Sequence, residues 1–290
     1  MNHQLIADSG STKTDWMLLT TTGERQHLQT QGMNPVLMTE EEIASVIQEE
    51  LLPQLSAFIS PPVSTACDLH FYGAGVRPDQ IEKMRQAFCR TLSDYFSTQT
   101  AHFASDLLGA AHALCGHAEG IACILGTGAN SCLFDGERIV QNTPALGYIL
   151  GDEGSGTALG KRFLNAIFKG LLPKEMRDDF LQQTGLTLDD IIRRLYREPM
   201  PNRFLASTSL YIHARIDHPS LRKLVVDCFR EFFCHNIVPY QRPDLPVGFV
   251  GSIAAHYEPL LREAAHAEGF SIGQIVHHPI HLLAQYHSFI

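Results

Sequence analysis

One nine-residue pattern occurs twice in this chain. Gly10-Ser11-Thr12-Lys13-Thr14-Asp15-Trp16-Met17-Leu18 lies without a gap over Gly126-Thr127-Gly128-Ala129-Asn130-Ser131-Cys132-Leu133-Phe134. In both copies a glycine-led run of small residues separates two short apolar runs. These are Leu5 to Ala7 and Trp16 to Leu19 in the first copy, Ile121 to Leu125 and Cys132 to Phe134 in the second. Short apolar runs around a glycine turn predict a β-hairpin. A hairpin used twice implies two similar lobes, each built on its own copy. A length of 290 residues agrees, since about 150 residues per domain gives about two.

Around the first hairpin the chain alternates. Thr39-Glu40-Glu41-Glu42 is an N-cap with acids in the first turn, and Ile43, Val46, Ile47 and Leu51 follow at helical spacing. Cys67 to Tyr72 predicts a strand ending at Gly73-Ala74-Gly75, and Pro78 starts a helix carrying Ile81, Met84, Phe88 and Leu92. His102 to Ala104 is another strand, ending at Asp106 before a helix from Leu107. Past Gly160 the chain reads mostly helical, over Arg162 to Leu171, Leu188 to Tyr196 and Leu221 to Phe233. Gly248 to Val250 then leads through Gly251-Ser252 into a helix, and Ile272 to Val276 leads into the last one. Strands alternating with helices predict an α/β fold with a largely parallel sheet. With no low-complexity linker to mark it, the boundary is placed at Ser105, giving lobes 1–105 and 106–290.

Composition narrows the partners. Hydrophobic residues make up 44% and charged ones 18%, so the chain can bury a core, and a net charge of -9 argues against nucleic acid or an anionic membrane as partner. The start of the sequence has no basic, apolar leader, and the seven cysteines are odd in number, lack a C-x-x-C and sit among apolar residues. Both features predict a reduced, cytoplasmic protein. The weakly charged stretch Leu107 to Phe134 is broken by glycines and histidines and reads as buried core, not as a membrane span. No group among the 15 histidines has zinc-ligand spacing.

The turns carry the chemistry. Small residues between strands let backbone N–H groups converge on phosphate oxygens, Lys13 adds a cation, and Thr12, Thr14, Thr127 and Ser131 carry hydroxyls. Neither turn matches a P-loop or a dinucleotide fingerprint. Asp8, at the end of the first strand, can hold Mg²⁺ beside bound phosphates. Asp106 can take the proton of an attacking hydroxyl, or else simply cap the helix that follows. Gly147-Tyr148-Ile149-Leu150-Gly151-Asp152-Glu153-Gly154-Ser155-Gly156 places two acids between glycines at a helix start, where they can face a polyol or a metal, or else cap the helix.

Together these residues resemble the sugar-kinase/actin superfamily, and within it the N-acetylglucosamine kinase-like branch, which also holds the activating ATPases of benzoyl-CoA reductases and 2-hydroxyacyl-CoA dehydratases. Asp8-Ser9-Gly10-Ser11-Thr12-Lys13-Thr14 is similar to the first phosphate motif, Ile124 to Ser131 to the second, Gly248-Phe249-Val250-Gly251-Ser252 to the adenosine motif, and Gly151 to Gly156 to a branch-specific motif. The resemblance implies two ribonuclease-H-like (actin-like ATPase) lobes with a nucleotide cleft between them. The C-terminal lobe carries helical insertions, and the last helix can pack back on the N-terminal lobe. By it ATP would be held by Ser9, Gly10, Ser11, Thr12, Lys13, Thr14, Gly126, Thr127, Gly128, Gly251 and Ser252, with Mg²⁺ at Asp8. Asp106 would be the general base, and Asn34, Gly75, Asn130 and Asp152 would contact the sugar.

Two departures stand out: Ser9 and Ser11 replace frequent glycines, and Ala145-Leu146-Gly147 stands where a Trp-Gly is common. The activity implied is phosphoryl transfer from ATP to a hydroxyl, O6 by preference, of N-acetylglucosamine or a related amino sugar. The alternatives are an activating ATPase for an iron–sulfur partner, for which no cysteine-rich loop precedes Gly126, and an inactive sugar or nucleotide sensor. A homodimer stays open.

Overall fold

The computed structural model describes residues 2–10, 12–59, 67–93, 95 and 101–288. Its contacts divide the chain into two units, Met1–Gly116 with His278–Ile290, and His117–His277. The first unit holds β1 (His3–Ser9), β2 (Lys13–Leu19), β3 (Arg25–Gln31), β4 (Cys67–Gly73) and β5 (Ala101–Ser105), in the order β3-β2-β1-β4-β5. Its helices are α1 (Glu40–Val46), α2 (Leu52–Leu55), α3 (Ile81–Leu92), α4 (Asp106–Cys115) and, from the end of the chain, α13 (Ile280–Ser288). Side chains alternate across a strand, which explains the unbroken apolar runs. Leu5, Ala7, Trp16, Leu18, Leu69 and Phe71 point to one face of the sheet and join the core with α1 and α3, while Ile6, Met17 and Tyr72 point to the other and meet α13.

The second unit holds β6 (Gly120–Leu125), β7 (Ala129–Phe134), β8 (Ile139–Thr143), β9 (Val247–Val250) and β10 (Ile272–Val276), in the order β10-β9-β6-β7-β8. Around them are α5 (Gly147–Leu150), α6 (Gly156–Phe168), α7 (Lys174–Thr184), α8 (Leu188–Tyr196), α9 (Pro201–His213), α10 (Pro219–Phe232), α11 (Ser252–His256) and α12 (Glu258–Ala267). Phe163, Phe229, Phe232 and Phe249 are fully buried in its core. The strand order matches that of the first unit pairing for pairing. In each sheet the three strands on one side are antiparallel and the two added strands run parallel to the first. The duplicated hairpin thus seeds two copies of one mixed α/β sheet.

Two expectations change. The sheets are mixed and not largely parallel, because β3 and β8 extend each hairpin by an antiparallel edge strand. Neither edge strand carries an apolar run: of β3 only Leu28 and Thr30 are buried, and of β8 nothing is, so hydrophobic periodicity passes over them. The first unit runs on to Gly116 instead of ending at Ser105, because α4 packs on the sheet that it follows. All seven cysteines are free thiols, and among the described residues no helix is long and apolar enough to cross a membrane.

The last helix is fastened by histidines. His287, buried on α13, lies with its ring 3.8 Å from that of His70 on β4, and His70 stacks in turn on His102 at 5.2 Å. The Tyr72 hydroxyl lies 3.0 Å from His287 Nε2 and 2.9 Å from His112 Nδ1. Burial disfavours the charged imidazoles and neighbouring histidines add to the effect, so His70 is pulled down to about 4 and His287 to about 3. An unfolded chain binds these protons near pH 6.5 and the folded one refuses them until pH 4 or below, so stability falls as pH drops through that window. Lowering the pH from 7 to 5 should therefore lower the melting temperature. His287→Gln keeps a partner for Tyr72 without titrating, and should flatten part of that drop. Equal drops in the two proteins would show that the stack does not sense pH.

Candidate active site

In the first sheet the parallel strands β1, β4 and β5 are in register at their carboxyl ends, with Ser9 beside Gly73 and Gly73 beside Ser105. Ligands of open α/β sheets sit just beyond such an edge. Asp8, Gly10, Gly75 and Asp106 all fall there, at the ends of these strands or just past them. Asn34 joins them because the Ser9 hydroxyl accepts a hydrogen bond from the Met33 N–H at 3.0 Å and fixes the loop just ahead of it. Asn34 Oδ1 accepts the Val36 N–H at 2.9 Å. Gly75, at φ +79, lets the chain pass so close that a Cβ there would lie 2.1 Å from that oxygen. Two residues chosen from sequence as sugar contacts thus touch.

The two hairpin turns differ by one residue. Ser9 pairs with Thr14, and Gly10 N–H bonds Lys13 O at 3.0 Å; Leu125 pairs with Ala129, and Gly126 N–H bonds Gly128 O at 3.0 Å. The gapless overlay therefore slips by one position past the turn. Strand pairing also starts earlier than the sequence suggests, which turns hydroxyls expected at the turns inward. Ser9 and Thr14 are fully buried and bond each other at 2.8 Å, and the buried Ser131 lies 2.7 Å from the Tyr240 hydroxyl. Thr12 is exposed, and Ser11 lies outside the described residues. Lys13 is held by Asp15 at 2.9 Å, and this buried carboxylate also takes Gln29 at 2.9 Å and His27 at 3.2 Å. Burial pushes Asp15 up, but the hydrogen bonds from Lys13 and Gln29 outweigh it and hold the carboxyl below its ordinary value.

Asp106 does not cap α4. Ser105 does, its Oγ accepting the Leu108 N–H at 3.2 Å, while Asp106 Oδ1 takes the Leu107 N–H at 2.9 Å. Burial raises the Asp106 carboxyl. Asp8 is pushed up to about 7, first by burial and then by the negative charges of Asp106 and Asp15, with Lys13 opposing. Two carboxylates are thus crowded at one strand edge, and among the described residues the Asp8 side chain accepts no hydrogen bond. That donor suits Mg²⁺, which commonly takes one or two protein carboxylates and fills its shell with water and phosphate. No group of three or more metal-ligating side chains gathers among the described residues.

The second unit assembles its own set. Gly126 O and Thr127 O accept the N–H groups of Gly156 at 2.9 Å and Thr157 at 3.2 Å, which docks the turn on the start of α6. Thr157 also donates its hydroxyl to Thr127 O at 2.6 Å. Gly251, at φ +118, passes so near that a Cβ there would lie 2.3 Å from Leu125 O, and Ser252 then opens α11. Asp152 adopts a left-handed φ of 58 and accepts the Ala129 N–H at 3.2 Å. Burial raises its carboxyl and that hydrogen bond opposes the rise. Asn130 Oδ1 accepts from Asn142 Nδ2 at 3.0 Å. Gly126, Thr127, Gly128, Asn130, Asp152, Gly251 and Ser252 are therefore brought together in this unit. Asp15, Asn142 and Thr157 hold the site residues and were not singled out from sequence. Only Asp15 left a signal, as a lone acid inside an apolar strand.

No family model matches the chain, and no curated protein does. Solved structures do. A candidate N-acetylglucosamine kinase from Porphyromonas gingivalis is 44% identical, with 98% of each chain covered and a TM-score of 0.91. A second, from Chromobacterium violaceum, is 17% identical over 99% of both chains at a TM-score of 0.75, and shares the fold. A ROK-family glucokinase from Streptomyces griseus, solved with glucose and AMPPNP, is 14% identical over 94% of this chain and 93% of its own, at 0.54. Fold and site together define an ATP-dependent sugar kinase of the actin-like ATPase superfamily. Within that class the chain belongs to the N-acetylglucosamine kinase-like branch.

Crowding of Asp8 has a consequence for stability. A carboxyl raised in the folded state contributes stability below its unfolded value of 3.8, and that contribution is lost as pH rises through about 7. Asp8→Asn should therefore melt a few degrees higher than the parent at pH 7.5 in EDTA, with the difference shrinking at pH 5. Added Mg²⁺ should raise the melting temperature of the parent but not of the variant. A variant that melts lower than the parent at both pH values would show that Asp8 is not under electrostatic strain.

Proposed function

We propose that this kinase transfers the γ-phosphoryl group of ATP to O6 of N-acetylglucosamine or a closely related amino sugar. The observation that carries this reading is the position of Asp106. It is a carboxylate at the carboxyl end of β5, held on one oxygen by the Leu107 N–H and raised by burial. A raised pKa makes the ionised carboxylate a stronger base. The sugar hydroxyl gives its proton to Asp106 as its oxygen bonds to the γ-phosphorus, and the bond from that phosphorus to the bridging oxygen breaks, leaving the electron pair on ADP.

Sugar recognition falls to Asn34 beside Gly75, with Asn130 and Asp152 from the second unit. An amide and a carboxylate supply the donors and acceptors that ring hydroxyls need. ATP falls to the two turns. The first offers Ser9, Gly10, Ser11, Thr12, Lys13 and Thr14, with backbone and not hydroxyls at the buried Ser9 and Thr14, and the second offers Gly126, Thr127 and Gly128. Gly251 and Ser252 take the adenosine. Asp8 would hold Mg²⁺, which would supply positive charge beside the phosphates. The 44% identical relative named for N-acetylglucosamine supports the choice of sugar. The free thiols support a cytoplasmic setting.

Asp106→Asn should fold and bind ATP while turnover falls by ~10²–10⁴-fold, since an amide cannot accept the proton. Near-parental turnover would remove Asp106 from this role. Asn34→Ala should weaken sugar binding by roughly 1–3 kcal/mol through the partners left unpaired, with ATP affinity unchanged by calorimetry. A loss of ATP affinity instead would place Asn34 with the nucleotide.

A further inference from the structure

The tip of the turn that carries Asn34 is thinly packed. Asn34 O accepts the N–H groups of Leu37 at 3.0 Å and Met38 at 2.9 Å, which closes the chain on itself. At the tip Leu37 is 71% exposed and Val36 48%, so apolar burial holds little of it. Polar contacts hold it instead. The Met33 N–H on the Ser9 hydroxyl and the close approach of Gly75 fix its start. From α3, Lys83 donates its ammonium to Pro35 O at 2.6 Å and to Met38 O at 3.3 Å.

A lysine is unfavourable at that place for helix stability alone. Lys83 lies in the first turn of α3, where a cation meets the positive end of the helix dipole. Pinning so long a side chain also gives up rotamer freedom. An ion pair would offset both effects, yet Lys83 forms none among the described residues. The exposed Asp79, whose carboxyl feels the Lys83 charge, is taken by Gln80 at 2.7 Å and Arg77 at 3.6 Å. The ammonium goes to two loop carbonyls three residues apart and bridges the turn between them.

We propose that Lys83 is a positioning residue for acceptor binding, its ammonium clamping the turn so that the Asn34 amide is held ready for the sugar. This rests on the reading of Asn34 as a sugar contact. Asn34 Oδ1 is already taken by the Val36 N–H at 2.9 Å, which fixes the atom of the amide that is left free. Nδ2 donates to nothing among the described residues, so it is the donor available to a ring hydroxyl. Without the ammonium, two carbonyls lose a charge-assisted partner and the thinly packed tip can move. Sugar binding must then order Asn34 as well as engage it.

The test is calorimetry on the full chain with N-acetylglucosamine and, separately, with AMPPNP, together with kcat at saturation. Lys83→Met keeps the apolar stem of the side chain without the ammonium. It should weaken sugar binding roughly five- to twentyfold, with AMPPNP affinity and kcat within about twofold of the parent. Lys83→Arg can still donate to both carbonyls and should bind the sugar within about threefold of the parent. In Asn34→Ala the clamp has nothing left to position, so adding Lys83→Met should weaken binding by less than about twofold more. Parental sugar binding in Lys83→Met, beside a weakened Asn34→Ala, overturns the proposal and leaves the reading of Asn34 standing. Equal loss of sugar and AMPPNP affinity, or a double variant in which the two losses multiply, overturns it as well, because Lys83 would then act apart from Asn34. If Asn34→Ala itself binds the sugar like the parent, the reading of Asn34 falls and the proposal falls with it.

Discussion

Lateral register at the end of the first sheet is the constraint on which the rest depends. Because Ser9, Gly73 and Ser105 are paired neighbours on parallel strands, the carboxylates of Asp8 and Asp106 are delivered to one edge and cannot avoid each other. A sheet selected only for stability would put an apolar residue at one of these positions. Here burial lifts both groups, and the negative charges of Asp106 and Asp15 add to it at Asp8, which is pushed up to about 7. Strain of this kind is the expected mark of a site whose charge is completed by something that binds. Phosphoryl transfer as proposed above would supply the missing partners, a hydroxyl proton for one carboxylate and a divalent cation for the other.

The second unit solves a different problem with the same sheet. Its turn has few side chains to offer, so its shape is set by backbone. Gly126 O and Thr127 O are tied to the first turn of α6, and Gly251 closes against Leu125 O with no room for a Cβ. Asp152 reaches the turn from below, through the Ala129 N–H. The duplicated strand order thus carries unequal duties. One copy presents charges for chemistry, and the other presents a rigid backbone surface suited to a nucleotide.

Much of this was legible in the sequence because the informative residues are local. Glycines between apolar runs announced both hairpins, and the acids at strand ends announced the edge where ligands bind. What escaped depends on pairing between distant segments. The edge strands β3 and β8 are polar, and only their hydrogen bonds to β2 and β7 make them strands. Ser9, Thr14 and Ser131 look like phosphate-binding hydroxyls in a linear reading, yet strand pairing turns them inward. Asp106 reads as a helix cap until Ser105 is seen to fill that place. The one-residue difference between the turns is likewise invisible in an overlay without gaps, since it arises from how each hairpin closes.

The central claim is the proposed phosphorylation of an amino sugar at its primary hydroxyl, with Asp106 as the base. The most direct measurement is to incubate the protein with ATP, Mg²⁺ and N-acetylglucosamine and to follow the sugar by phosphorus and carbon NMR. The account predicts a new phosphate monoester whose coupling appears on the C6 carbon, formed in equal amount with ADP. ADP released without any sugar ester, or an ester on another carbon, would contradict it.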